Sequence, residues 1–112
     1  MLKHGIFIIN PLGYAVHYRH TVRGFVAVKD CAVQIFVHSN DGRWYVQKDA
    51  VVNGHSWEAE VCLGYEDSRG VYLVVAVAHD GTKKITDCPI DAIPDSLITS
   101  NTAMYTRNLP SI

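Results

Sequence analysis

Short apolar-and-polar alternations recur along this chain, separated by turn residues. The clearest runs from His55 to Leu63, where Trp57, Ala59, Val61 and Leu63 point one way and Ser56, Glu58, Glu60 and Cys62 the other. A period of two is that of a half-buried β-strand. Asn53-Gly54, just ahead of it, is the strongest short hairpin signal in the chain. Other runs follow the same logic. Gly5 to Ile9 ends at the turn Asn10-Pro11-Leu12-Gly13. Tyr18 to Val28 carries Gly24, which inside a strand marks a bulge or a close backbone approach. Ala32 to Ser39 sets Val33, Ile35 and Val37 on one face, with Gln34 and His38 on the other. Asn40-Asp41-Gly42 turns into Arg43 to Lys48, and Ala50 to Val52 is a short extension.

The second half is less regular. Val71 to Ala78 is apolar on both faces, which predicts a central strand covered on both sides. Lys83 to Thr86 reads as a short edge strand whose lysines discourage edge pairing. Asp87 to Asp95 holds Pro89 and Pro94 and reads as a loop crossing the end of the fold. Leu97 to Arg107 returns as a closing strand. No stretch keeps a 3.6-residue period, and no internal repeat is present. The expected fold is all-β, an antiparallel β-sandwich of about seven or eight strands. Its two sheets would bury Val22, Val33, Ile35, Val37, Trp57, Val61, Leu63, Leu73, Val75 and Val77 between them.

Composition narrows the function classes. At 112 residues and 48% hydrophobic, the chain is read as one domain spanning 1–112, with a core of its own. Ten basic and eleven acidic residues give a net charge of −1, and no block of like charge occurs. That excludes a nucleic-acid or anionic-membrane partner from the expectation. The longest apolar run is too short to cross a bilayer as a helix. The N-terminal apolar segment is too short for a signal peptide, so a cytoplasmic location is expected if Met1 is the native start. Cys31, Cys62 and Cys88 are odd in number and scattered, without a CxxC pair, which argues against a disulfide framework or structural zinc.

The order of these segments carries a resemblance. A Thr21-Val22-Arg23-Gly24 strand precedes Val33-Gln34-Ile35-Phe36-Val37 and then Trp44-Tyr45-Val46-Gln47. After the turn come Gly54-His55-Ser56-Trp57-Glu58-Ala59-Glu60-Val61-Cys62-Leu63-Gly64 and Gly70 to Ala78, and Ile93-Pro94 leads to a last strand ending at Arg107. The chain resembles small bacterial immunoglobulin-like or fibronectin type III-like accessory domains over about Ile6 to Arg107. The resemblance implies a β-sandwich with a non-catalytic role in adhesion, assembly or ligand presentation, and it supplies no catalytic residues. The cysteine pair of antibody domains is missing.

Candidate chemistry is sparse. His17 and His20 fall on opposite faces of a strand, and His4, His38, His55 and His79 have no partner at ligand spacing, so no metal is expected. No nucleophile elbow is present. Glu58 and Glu60 lie about 7 Å apart on one strand face, the ordinary polar-out pattern rather than a pair flanking a cleft. The expectation is no enzyme, no catalytic residue and no cofactor.

The aromatic hairpin strand is the remaining feature. If Trp44 packs inward with Val46, Tyr45 and Gln47 lie on the outer face, where an aromatic beside an amide stacks on a sugar ring or anchors a protein. Phe36, Trp44, Tyr45 and Gln47 are the candidate contact residues. The leading expectation is an interaction or accessory module with an unidentified partner. The alternative is a small-ligand or carbohydrate-binding module centred on that strand. A homodimer through a sheet face formed by Phe36, Tyr45, Tyr72 and Val74 is a further expectation.

Overall fold

A computed structural model describes residues 5–15, 17–66, 68–79, 81, 84–94 and 98–107. Among them are ten strands and no helix. The strands are β1 (Ile6–Ile8), β2 (Leu12–Tyr14), β3 (Arg19–Val26), β4 (Ala32–His38), β5 (Trp44–Val46), β6 (Val51–Asn53), β7 (Ser56–Cys62), β8 (Gly70–His79), β9 (Ile98–Thr99) and β10 (Ala103–Arg107). One sheet runs β1-β3-β7-β6. The other runs β2-β10-β8-β4-β5, with β9 also paired to β8. All pairings are antiparallel except β2 with β10.

The alternation read in β7 holds. Trp57, Ala59 and Val61 are buried, and Ser56, Glu58, Glu60 and Cys62 are exposed. Its neighbour β3 buries Val22 and Val26 on the same side, through the register Val22↔Ala59. Gly24 is the close approach its position announced. A Cβ there would strike the Phe7 carbonyl and the Trp57 ring. Trp57 sits opposite Gly24 in register and donates its indole N–H to the Phe25 carbonyl at 3.3 Å. The ring thus fills the space the glycine leaves.

The hairpin signal is shifted by one residue. Asn53 ends β6 and pairs with Ser56, so Gly54 and His55 form the two-residue loop. Gly54 has φ +63° and His55 is not in the positive-φ region. Glycine at the first central position with a single positive φ is the type II′ arrangement.

Four further segments depart from expectation. The stretch read as a turn at Asn10 to Gly13 is where the chain changes sheets. Asn10 adopts φ +52°, and Pro11 accepts from the Met104 N–H. Leu12–Tyr14 then joins β10 as a parallel edge strand. Three residues around a glycine carry no periodic pattern, so their pairing is imposed by the partner strand.

In β8 the inward side chains are Tyr72, Val74 and Ala76, not Leu73, Val75 and Val77. Val75 and Val77 face away, into a second cluster with Phe36. Because β8 is apolar on both faces, hydrophobicity does not choose its parity. The register Ile35↔Ala76 and Val37↔Val74 does.

Residues 84–94 lie over the outer face of the second sheet, not across its end. Ile85, Ile90 and Ile93 pack on Phe36, Val75, Val77, Trp44 and Val46. Lys83 lies outside the described residues, and 84–86 form no strand. Their pairing is taken by a side chain. Buried Gln34 donates Nε2 to the Ile85 carbonyl at 2.8 Å and accepts the Ile85 N–H at 2.9 Å. The closing run is divided in two. Between β9 and β10, Asn101 plays the same part for β1, accepting the Ile8 N–H at 2.7 Å and donating to the Ile8 carbonyl at 3.1 Å.

The face expected to dimerise is therefore not a surface. Phe36, Tyr72 and Val74 are buried at 1% exposure or less. Phe36 lies beneath the 84–94 segment, while Tyr72 and Val74 lie between the sheets.

Candidate functional site

The β4–β5 hairpin builds one wall of a groove. Its turn is closed by the Gly42 N–H to the Ser39 carbonyl at 3.0 Å and the Ser39 N–H to the Arg43 carbonyl at 2.9 Å. Within it Asp41 accepts the Arg43 N–H at 3.0 Å, the two-residue reach typical of an Asx-turn. The same carboxylate accepts the Tyr45 hydroxyl. Register puts Tyr45 opposite Val37, so its ring points to the side of the sheet that faces β7.

The opposite wall comes from the end of β7 and the loop after it. Gln47 spans the two. Its Oε1 accepts the Cys62 N–H at 2.8 Å, and its Nε2 donates to the Tyr45 carbonyl at 3.1 Å. Gly64, at φ +80°, makes the turn where any Cβ would meet the Tyr72 hydroxyl and the Ser68 side chain. Tyr65 and Ser68 then close on each other. The Tyr65 N–H reaches Ser68 Oγ at 2.7 Å, and the Ser68 N–H reaches the Tyr65 carbonyl at 3.1 Å.

Arg107 pins that loop from behind. It is 2% exposed and donates to the carbonyls of Leu63 at 3.0 Å, Glu66 at 3.1 Å and Tyr65. The guanidinium fork suits three converging carbonyls, and its burial is offset by these charge-assisted bonds.

Between the walls lies a groove of about 450 Å³, lined by Val37, Ser39, Asn40, Asp41, Tyr45, Gln47, Cys62, Gly64, Tyr65, Ser68 and Tyr72. A second hollow of about 380 Å³, on the outer face of the first sheet, is lined by Arg23, Phe25, Val51, Glu58 and their neighbours. Arg23 and Glu58 form an exposed ion pair across it at 2.6 Å.

The hydrogen bond between Tyr45 and Asp41 dominates the electrostatics of these two groups. The Tyr45 hydroxyl and the Arg43 N–H stabilise the Asp41 carboxylate and lower its pKa, while the same hydrogen bond to Asp41 raises that of Tyr45. Both groups move away from neutrality, whereas acid–base catalysis wants a pKa near the working pH. Among the described residues no group of three or more His, Cys, Asp or Glu is placed to hold a metal ion.

The four candidate contact residues divide by face. Trp44 and Val46 share a side, and Tyr45 and Gln47 share the other, but the sides are reversed from expectation. Trp44 faces away from the first sheet, edge-on to His38 at 4.9 Å between centroids, and its backbone pairs with Ile90. Phe36 is wholly covered beside it. Tyr45 and Gln47 line the groove, with both ends of Gln47 engaged by backbone. Reading the sequence missed Asp41, Tyr65, Ser68 and Arg107. Asp41 carries a local signal, an aspartate two residues before the closing arginine of a turn. Tyr65, Ser68 and Arg107 carry none, because their roles depend on the approach of distant strands.

Comparison of the chain with family models, with curated proteins and with solved structures found no match. Among the described residues no helix is long and apolar enough to cross a membrane.

Proposed function

We propose that the chain is a non-catalytic, immunoglobulin-like interaction module that joins a second copy of itself through the open half of its larger sheet. The immunoglobulin-like reading is supported by strand order. The sheet β1-β3-β7-β6 follows the order A-B-E-D, and β10-β8-β4 follows G-F-C with β5 as an added C′ strand.

One observation carries the interaction reading. The outer face of the second sheet is largely apolar, and among the described residues segment 84–94 covers only the half over β4, β5 and one end of β8. On the other half Leu12, Tyr14, Val71 and Met104 are exposed by 68%, 73%, 46% and 42%. They are contiguous, since Leu12 and Leu73 both pair with Met104, and Tyr14 and Val71 both pair with Thr106. Apolar patches beyond a few hundred Å² mark contact sites, and four side chains so exposed make one on the order of 400–500 Å².

A second copy suits this surface because none of these six residues is charged, so the patch meets itself across a two-fold axis without like-charge conflict. A standard interface needs about 800 Å² per partner, of which the patch supplies roughly half as an apolar centre, with a polar rim around it making up the rest. Sedimentation equilibrium is the test. The expected result is a concentration-dependent dimer that Met104→Lys and Tyr14→Glu convert to monomer without unfolding. A monomer at every concentration would rule out the self-association.

A further inference from the structure

We infer that the groove between Asp41, Tyr45, Tyr65 and Ser68 is a binding site for a neutral saccharide, taking one or two sugar units of an oligosaccharide. None of the residues of the apolar half-face is among those lining this groove, so the site is argued independently of the dimer. Its first support is Tyr65. At 80% exposure its side chain is the most exposed large hydrophobic among the described residues. Exposed aromatics on loops are ordinarily mobile, but this one sits on a backbone held by Ser68 from the front and by buried Arg107 from behind. With the backbone already held, only the two side-chain torsions of the ring remain to be ordered when it stacks on a ligand.

The second support is the inventory of polar groups. Tyr45 donates its hydroxyl proton to Asp41 and keeps its lone pairs. Ser68 Oγ accepts from the Tyr65 N–H and keeps its proton. Asp41 accepts two donors and, as a carboxylate, has room for more. Each group is oriented by at least one neighbour and retains a capability for a ligand. Together they offer an anionic acceptor, a neutral acceptor and a donor beside an aromatic face.

The lining also says what does not fit. Among the described residues no Lys, Arg or His lines the groove, so these supply none of the partners that phosphate or carboxylate ligands require. Val37 is the only aliphatic side chain among the described lining residues, which is too little for a lipid-binding wall. An ammonium ligand would meet a carboxylate already shared between two donors at an exposed position, where an ion pair contributes little. A sugar matches both halves: its C–H face stacks on a ring, and its hydroxyls give and accept hydrogen bonds. At about 450 Å³ the groove lies within the range of small-molecule sites, and its open side lets a longer chain continue outward.

The test is amide chemical-shift mapping of the full chain during titration with neutral disaccharides: maltose, cellobiose, N,N′-diacetylchitobiose, lactose and mannobiose. The same titration is run with choline as a cationic probe. The expected result is saturable shifts for at least one disaccharide, centred on Asp41, Tyr45, Tyr65 and Ser68. Tyr65→Ala and Asp41→Asn should each weaken that binding about tenfold or more while leaving the remaining spectrum in place. Absence of shifts with every disaccharide, shifts elsewhere, shifts that survive Tyr65→Ala, or saturation by choline alone would overturn the assignment.

Discussion

Gln34 and Ile85 pair as two strand residues would, except that one partner is a side chain. The Gln34 amide gives and takes a hydrogen bond with the Ile85 backbone at 2.8 and 2.9 Å, and Gln34 is fully buried. Together with the backbone pairing of Trp44 and Ile90, this anchors segment 84–94 over Phe36, Val75 and Val77. Gln34→Leu keeps the apolar volume and removes both bonds, leaving the Ile85 N–H and carbonyl unpaired. The expected cost is about 1–3 kcal/mol in denaturant unfolding. Hydrogen exchange should quicken across 84–93 before the rest of the fold.

Arg107 serves the groove as Gln34 serves the covered face. Replacing it with Met removes three charge-assisted bonds to the carbonyls of Leu63, Tyr65 and Glu66. The expected loss is about 2–4 kcal/mol, read as a lower midpoint in urea. Arg107→Lys should restore less than half, because a single ammonium does not reach three carbonyls in a fork.

Gly24→Ala tests packing rather than polar anchoring. The added methyl would overlap the Phe7 carbonyl and the Trp57 ring, so β1 or the ring must shift to admit it. Overpacking of this kind costs about 1–3 kcal/mol. A drop in melting temperature with altered near-ultraviolet circular dichroism from Trp57 is the expected signature. A melt and spectrum unchanged from wild type would contradict the close approach.

His20 gives the fold a pH dependence. It lies half-buried against the Tyr105 ring at 4.6 Å, and burial lowers its pKa below the ordinary 6.5. The folded state therefore favours the neutral ring. Its contribution is intact above the unfolded value and is lost as pH falls from about 6.5 toward the lower folded value. Chemical denaturation from about pH 7.5 to about pH 5 should show stability falling toward acid, with His20→Asn flattening the slope over that window.

How legible this protein was in its sequence depended on whether a strand had one wet face. In β3 and β7, polar residues mark the solvent side, so Val22, Trp57, Ala59 and Val61 were assignable to the core from periodicity alone. In β4, Gln34 and His38 mark one face, so Val33, Ile35 and Val37 were also assignable to the core. In β8 both faces are apolar, and the pattern reveals a central strand without saying which side is which. Val75 and Val77 were misplaced for that reason. The cover over them is a loop with isolated isoleucines at 85, 90 and 93, whose spacing has no period to detect.

The candidate groove was legible only in part. Tyr45 and Gln47 stood out as an aromatic beside an amide on an edge strand. Their neighbours Cys62, Tyr65 and Ser68 come from beyond two intervening strand segments, and Arg107 from the far end of the chain. Alternation of apolar and polar residues determined that the protein is built of strands, roughly where they run, and which side of β7 is dry. Tertiary structure decided which face of β8 meets the first sheet, which half of the second sheet is left uncovered among the described residues, and that Asp41, Tyr45 and Tyr65 share one groove. Local hydrophobic periodicity reports burial residue by residue, whereas register and strand order are long-range pairings that no local pattern encodes.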